Sequence, residues 1–320
     1  MSNLTKLTVS PHIHSGRSTR RIMLDVIIAL TPALVMGVII FGLRALAVTA
    51  VCIGCCVAFE ALYNLIVKKY QSIGDLSAIV TGMLLAMNLP VNIPLWQCVV
   101  GSLFAIILVK CLFGGIGQNL VNPAIAARVF MLVAFGSMAT PAFPATNGLL
   151  TNISGLNTYV DTASSATPLA AEKMPHLLTL LLGTHGGAIG ETCAIALIAG
   201  GIYLMCRRVI RWEIPVCFIA TVFVFSFLID GFNIYDALSQ VLAGGLMIGA
   251  FFMATDYVTS PPTPWGKVIF GIGCGVMTCV IRYFGNYPEG VSFAILFMNI
   301  LNPYICKWTR HKVFGVGGAK

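Results

Sequence analysis

The sequence predicts an all-α polytopic membrane protein, about ten transmembrane helices in one integral membrane domain over residues 1–320. An internal inverted-type repeat and interrupted helices are part of that expectation. Three observations lead to it. Of 320 residues, 58% are hydrophobic and only 9% charged, against about 25% charged in soluble domains. The apolar residues fall in successive segments close to the roughly 20 residues that span a bilayer as a helix. The basic residues gather in the links on one side.

The segments run over 22–42, 45–67, 75–89, 95–113, 122–138, 188–206, 212–229, 237–254, 265–284 and 290–306. The first is long enough to span and has no small-residue cleavage site behind it, so it reads as a resident helix. The third, fifth and sixth are short or interrupted by Gly and polar residues. They divide into a first helical half (21–138), a polar loop (139–176), a second helical half (177–306) and a tail (307–320).

With a cytoplasmic N-terminus, one side receives Lys6, Arg17, Arg20, Arg21, Lys68, Lys69, Arg207, Arg208, Arg211, Lys267, Lys307, Arg310, Lys312 and Lys320. The other side holds only Arg44, Lys173 and Arg282. That asymmetry follows the positive-inside rule and holds together only for an even number of spans. Both termini are then cytoplasmic and the 139–176 loop is extracytoplasmic. Lys110 and Arg128 fall near the cytoplasmic ends of the fourth and fifth spans. The net charge of +8 thus reports topology: the bilayer is the partner it implies, and nucleic acid is not one.

Two stretches resemble each other, LPVNIPLWQCVVGSLFAIILVKCLFGGIG from Leu89 and SPPTPWGKVIFGIGCGVMTCVIRYFGNYPEG from Ser260. Each begins Pro-rich, carries a Trp, continues as a Gly-containing apolar helix and exits at Gly, and the two enter the membrane from opposite sides. Repeats of opposed topology with broken helices build many transporter folds. The eleven cysteines lie almost entirely in apolar segments. Cys52, Cys55 and Cys56 spread around a helix and do not converge, so they read as small apolar residues, with metal or iron–sulfur ligation as the lesser alternative.

Four groups of polar residues stand out. DTASSATPL, 161–169, places Asp161, Ser164, Ser165 and Ala166 ahead of Thr167, a hydroxyl able to carry a covalent modification. GGIGQNLVNPAIAARVF, 114–130, carries Asn119, Asn122 and Arg128 at a membrane border; Asn122 also suits an N-cap with Pro123 in the first turn. GGLMIGAFFMATDYVTSPPTPWGK, 244–267, sets Asp256 beside Phe251, Phe252 and Tyr257, an aromatic surround with one carboxylate that suits a flat heterocycle, although the Phe residues alone read as packing. GTHGGAIGETC, 183–193, with Glu191 and a lone His185, is either an anion-binding helix start or a re-entrant turn.

Within the spans, Asp25, Glu60 and Lys110 are the expensive groups, and such groups mark ion paths or pair with one another. Asp25 lies near Arg20 and Arg21, which suggests a border ion pair, and Glu60 can reach the interface beside Lys68. Both are ion-path candidates.

On these residues the chain resembles the RnfD/NqrB family, membrane components of the Rnf electron-transport complex and of the sodium-pumping NADH:quinone oxidoreductase. The motifs that carry the resemblance are GGIGQNLVNPAIAARVF, DTASSATPL, GTHGGAIGET, GGLMIGAFFMATDYVTSP and NYPEGVSFAIL, in family order over nearly the whole chain. The resemblance implies that Thr167 is esterified to the phosphate of FMN by a flavin transferase, with Asp161, Ser164, Ser165 and Ala166 forming the flavinylation motif; Ser165 stands where the family usually has Gly. It implies a second, noncovalent flavin, riboflavin, near the cytoplasmic face, with Asn119, Asn122 and Asp256 as polar contacts and Phe252 against the ring. Tyr257 stands where relatives commonly have Pro.

The resemblance further implies residence in a bacterial or archaeal cytoplasmic membrane and the other Rnf proteins as partners: the flavinylated RnfG, the membrane proteins RnfA and RnfE, and the soluble RnfB and RnfC. The expected function is electron transfer through the flavins as part of a ferredoxin:NAD oxidoreductase coupled to Na⁺ or H⁺ movement, with no catalysis by the chain alone. It has no Rossmann fingerprint and no large soluble domain to bind NAD or ferredoxin itself. The competing class is a cofactor-free secondary transporter or channel, which opposed repeats fit equally well; a passive scaffold is a third.

Overall fold

A computed structural model describes residues 18–68, 71–135, 177–183, 187–191, 193–285 and 289–310. Among these residues the regular structure is all helical, with no β-strand, as the apolar segments predict. α1 (Thr19–Phe41) starts at Ser18, whose hydroxyl accepts from Arg21 N at 3.4 Å. Gly42, at φ 79°, then turns the chain into α2 (Leu43–Ile66), a backbone region that glycine enters without a Cβ penalty. A 3₁₀ turn leads to the short α3 (Ser77–Met87). α4 (Leu95–Leu103) continues as a π-helix over Phe104–Cys111. α5 (Pro123–Ala134) has Asn122 as its N-cap.

The second half begins with α6 (Leu177–Leu182), a short helix that no predicted segment covers. There follow α7 (Ala194–Cys206), α8 (Glu213–Ile229) and α9 (Ile234–Leu242). α10 (Leu246–Ile248) runs on as a π-helix over Gly249–Met253. α11 (Pro264–Phe284) and α12 (Val291–Trp308) complete the described chain. Each predicted segment overlaps one of these helices or, for 237–254, the pair α9 and α10.

By length and apolarity α1, α2, α11 and α12 can each cross a membrane, and α9 with α10, bent by 65°, makes a fifth span if counted as one. α3, α4 with its π-helix, α5, α7 and α8 are apolar but shorter. Along α1, Leu24, Ile28, Val35 and Ile39 are exposed on one stripe, a surface suited to lipid or to another apolar protein. The interior forms where α2 packs on α3, α8 on α11, and α1 on α7. The last contact is close: a Cβ on Gly200 of α7 would collide with the Ala29 carbonyl of α1, and one on Gly201 with the Phe251 ring. These two glycines therefore let the aromatic pair that follows α10 sit directly against α7.

Where the chain leaves the helical path inside an apolar body, its freed carbonyls must find donors. Arg44 donates to Val91 O (2.9 Å) and Ile93 O (3.2 Å) in the link between α3 and α4. Arg282 donates to Gln240 O (2.6 Å) and Ala243 O (3.2 Å) at the break between α9 and α10. Two of the basic residues that stand against the charge bias thus have structural work: each closes an interrupted segment. The 187–191 turn is tied to the end of α3 through Ile189 N to Leu89 O (3.1 Å) and Gly190 N to Met87 O (2.7 Å), which links the two halves.

Candidate functional site

A cavity opens between α1, α3, the π-helix after α4, the link before α5, the end of α7 and the π-helix after α10. Asn119, Asn122, Phe252 and Asp256 all line it. Two loop regions more than a hundred residues apart in sequence therefore meet at one site. Its walls also include Ile22, Leu204 and Val209, so it lies at the end of the bundle that bears Arg20, Arg21, Arg207 and Arg208.

Two π-helical stretches border this cavity, closed by i→i+5 bonds such as Leu112 N to Ile107 O (3.0 Å) and Ala254 N to Gly249 O (2.7 Å). π-helical turns often occur at functional sites because the extra residue re-aims neighbouring side chains. Here one presents Lys110 to the cavity and the other Phe251 and Phe252.

The candidate polar residues differ in what they have left to offer. Asn122 is taken up by the protein. Its Oδ1 accepts from Ala124 N (3.0 Å) and Ile125 N (3.4 Å), and its Nδ2 donates to Met253 O at 3.2 Å. Asn299, with its amide nitrogen toward Thr259 O (3.3 Å), accepts from Asn122 N at 3.2 Å. Asn122 is thus the N-cap that its sequence context suggests, and it pins α5 to the π-helix after α10. Asn119 is different: its Oδ1 is buried without a hydrogen-bond partner among the described residues. Buried acceptors left in that state cost about 1–3 kcal/mol, so a donor brought by a ligand is favoured there.

Asp256 accepts from Thr259 Oγ1 at 3.2 Å and from Val258 N at 3.5 Å. Burial pushes its carboxyl above the ordinary aspartate value, and these hydrogen bonds hold it back. Tyr257 donates its hydroxyl to the Val209 carbonyl, so it ties the 254–263 link to α7's exit while also lining the cavity.

Glu60 does not reach out beside Lys68. It is 2% exposed and forms an ion pair with Lys110 at 2.6 Å, across fifty positions of sequence. Lys110 also donates to Ser77 Oγ at 2.7 Å, Ser72 donates to the other Glu60 oxygen, and Asn64 donates to Ser72 at 3.0 Å. The physical reason is burial: a carboxylate facing α3 and the π-helix after α4 must find its cation inside the apolar body. Asp25 likewise pairs with Arg207 (3.3 Å) and accepts from Tyr203 OH (3.2 Å), where proximity in sequence suggested Arg20 or Arg21. Arg207 is 57% exposed, so this pair resembles surface bridges worth about 0–1 kcal/mol.

Arg128 is absent from the cavity wall and anchors a second polar cluster that the sequence did not disclose. Its guanidinium donates to Asn88 Oδ1 (2.6 Å), to Glu191 (2.8 Å) and to Glu289. Glu191 therefore belongs to an ion pair, and its second oxygen accepts from Ala188 N at 3.4 Å; no phosphate role follows from it. The sole hint in the sequence was that Arg128, Glu191 and Glu289 each lie close to apolar stretches.

Burial, together with the neighbouring Glu191 carboxylate, pushes the Glu289 carboxyl up to about 8 against the pull of Arg128. Glu289 is thus raised in the fold above its unfolded value of about 4.3. Its contribution to stability is complete below that value and is lost as pH rises through about 8. The thermal midpoint of the detergent-purified protein is therefore expected to fall from about pH 5 to 8, and Glu289→Gln is expected to flatten that slope. Because 24% of the Glu289 side chain remains exposed, water softens the effect.

The expected flavinylation motif, Asp161, Ser164, Ser165, Ala166 and Thr167, lies outside the described residues, as does His185.

Known proteins resemble this chain along nearly its whole length. The sequence profile of the NQR2, RnfD, RnfE family matches residues 6–315. The chain is 46% identical, over 98% of its own length and 96% of the relative's, to the D component of the Na(+)-translocating ferredoxin:NAD(+) oxidoreductase complex of Acetobacterium woodii. It is 40% identical, over 98% and 97%, to the D component of the proton-translocating ferredoxin:NAD(+) oxidoreductase complex of Clostridium ljungdahlii. It is 38% identical, over 98% of both lengths, to the D component of the ion-translocating oxidoreductase complex of Actinobacillus succinogenes.

Proposed function

The chain belongs to the NQR2, RnfD, RnfE family, and from that membership we propose that it is the RnfD membrane component of an Rnf-type ion-translocating ferredoxin:NAD oxidoreductase, carrying electrons through two bound flavins. The observation that carries the flavin reading is the convergence of Asn119, Asn122, Asp256 and Phe252 on one cavity, with a buried acceptor on Asn119 still unmet.

A flavin supplies one- and two-electron chemistry that side chains do not have. In the cavity, Asn119 offers an acceptor to a ring N–H, Asp256 adds a carboxylate, and Phe252 supplies a flat apolar face. Asn122 fixes the wall by holding α5 to the π-helix after α10. These residues suit riboflavin, bound without a covalent bond. The second flavin is FMN, joined through its phosphate to Thr167 in the Asp161–Thr167 run. A covalent bond retains that cofactor on the extracytoplasmic side, where a dissociated one is lost.

We take the ten apolar segments as ten crossings in two inverted halves. Supporting this, each half has one non-helical break, the α3–α4 link between its third and fourth segments or the α9–α10 break within the eighth, and each is closed by an arginine. The termini then lie in the cytoplasm and the cavity opens near that face. The named relatives include one sodium and one proton translocator, so the coupled ion is Na⁺ or H⁺. Glu60 and Asp25 are ion-path candidates, and any ion passing them displaces Lys110 or Arg207. The partners are the remaining proteins of the complex, with a flavin transferase during maturation.

The test uses the complex purified from cells that contain the flavin transferase. After denaturation and electrophoresis the chain is expected to fluoresce as flavin. The tryptic fragment ending at Lys173 is expected to carry the mass of one FMN less one water, on Thr167. A dark band and an unmodified fragment would replace this reading with the cofactor-free transporter.

A further inference from the structure

The Glu60–Lys110 pair has a feature that ion pairing alone does not require: only one of its members lines the cavity. Lys110 is part of the wall while Glu60 sits behind it, on α2. Lys110 is 2% exposed. Two of its three N–H donors go to Glu60 and Ser77; the third has no partner among the described residues. Glu60 cannot swing away to take that place. One oxygen accepts from Lys110 and the other from Ser72, which is itself held by Asn64. The pair is thus a fixed dipole with its positive end toward the cavity.

Such a dipole has a definite electrostatic consequence. Within an apolar body charges act over a low effective dielectric and are strong. A buried ion pair is often no more stabilising than an apolar pair of similar volume, so stability alone does not account for it. Ionisable groups in apolar helices generally mark function.

We propose that Lys110 is an electrostatic positioning residue of the cavity, a fixed cation that favours the reduced, more negatively charged state of a flavin seated there and so sets the potential at which the site takes electrons. This rests on the flavin reading given under the proposed function. Glu60 orients and moderates the charge, and Ser77 holds the ammonium from the α3 side.

The experiment measures the midpoint potential of the noncovalent flavin by spectroelectrochemical titration of the purified complex. The first variant is the double substitution Lys110→Met with Glu60→Gln, which removes both charges together and leaves no bare buried ion. Its potential is expected to fall by a tenfold change in the oxidised-to-reduced equilibrium, about 30 mV for a two-electron couple. Glu60→Gln alone leaves the cation less compensated and is expected to raise the potential. Three outcomes would overturn the proposal. One is an unchanged potential in the double variant, and another is a fall in both variants. The third is a folded double variant that has lost the flavin, which makes Lys110 a binding group instead. A parent complex with no noncovalent flavin sinks the flavin reading itself, a separate result.

Discussion

Arg128→Ala is expected to lower the stability of the protein by about 3–5 kcal/mol, the range seen when one partner of a buried ion pair is removed. The guanidinium is 7% exposed and is shared by Glu191, 1% exposed, and Glu289. It also holds the amide of Asn88, which donates to Leu84 O at 2.6 Å at the end of α3. Removing it strands the Glu191 carboxylate and leaves the Glu289 carboxyl without its partner in an apolar body, and frees the joint between the end of α3, the 187–191 turn and the start of α12. Arg282 is hydrogen-bonded to Gln240 O and Ala243 O and makes no ion pair with either carboxyl, although it lies close enough to act on both electrostatically.

Three measurements separate this from simple loss of packing. Arg128→Lys is expected to restore little, since a single ammonium cannot fork across Asn88, Glu191 and Glu289. Arg128→Ala combined with Glu191→Gln is expected to be less destabilised than the sum of the two single changes, because residues in one network do not add. The Arg128→Ala deficit is also expected to shrink at low pH, where the stranded Glu191 carboxylate takes up a proton and loses its charge. Thermal midpoints in detergent report all three. A stability equal to the parent's would mean that these side chains do not form one network.

What the sequence discloses, and what it hides, follows from the range of the forces involved. α1, α2, α11 and α12 were legible because about twenty apolar residues announce a span without reference to anything else. α9 and α10 were legible only as one segment. The bend between them depends on Arg282 reaching carbonyls about forty positions away. α6 was missed because six residues of LLTLLL carry no period. The aromatic and polar cavity residues could be named from their chemistry, yet their convergence required the close packing against α7 at Gly200 and Gly201.

Ion pairing was the least legible feature. Charge in a sequence suggests the nearest basic neighbour, hence Arg20 or Arg21 for Asp25 and Lys68 for Glu60. Burial instead selects whichever cation the fold brings inside, so Asp25 found Arg207 and Glu60 found Lys110. Asn122 shows the opposite case. Its N-cap role is set by its immediate neighbours, and the sequence context suggested it directly.

Thr167→Ala is expected to remove covalent flavin from the chain completely and to reduce ferredoxin:NAD electron transfer by the complex to background. Alanine has no hydroxyl to esterify, and no other side chain supplies a carrier of that kind. The noncovalent flavin is expected to stay, because the residues proposed to hold it, Asn119, Asn122, Phe252 and Asp256, are unaltered and come from the two helical halves. The protein is also expected to remain folded in the membrane, since a polar loop residue contributes little to an apolar interior. Thr167→Ser distinguishes the hydroxyl from the loop: it keeps the esterifiable oxygen and loses one methyl group, so it is expected to retain flavin and a measurable share of activity. The measurements are in-gel flavin fluorescence, flavin released on denaturation, and turnover of the whole complex. If the Thr167→Ala complex transfers electrons at the parent's rate, then the chain is a scaffold and the current runs elsewhere. If both variants lose activity yet keep covalent flavin, then the attachment point is another residue and Thr167 acts through the loop alone.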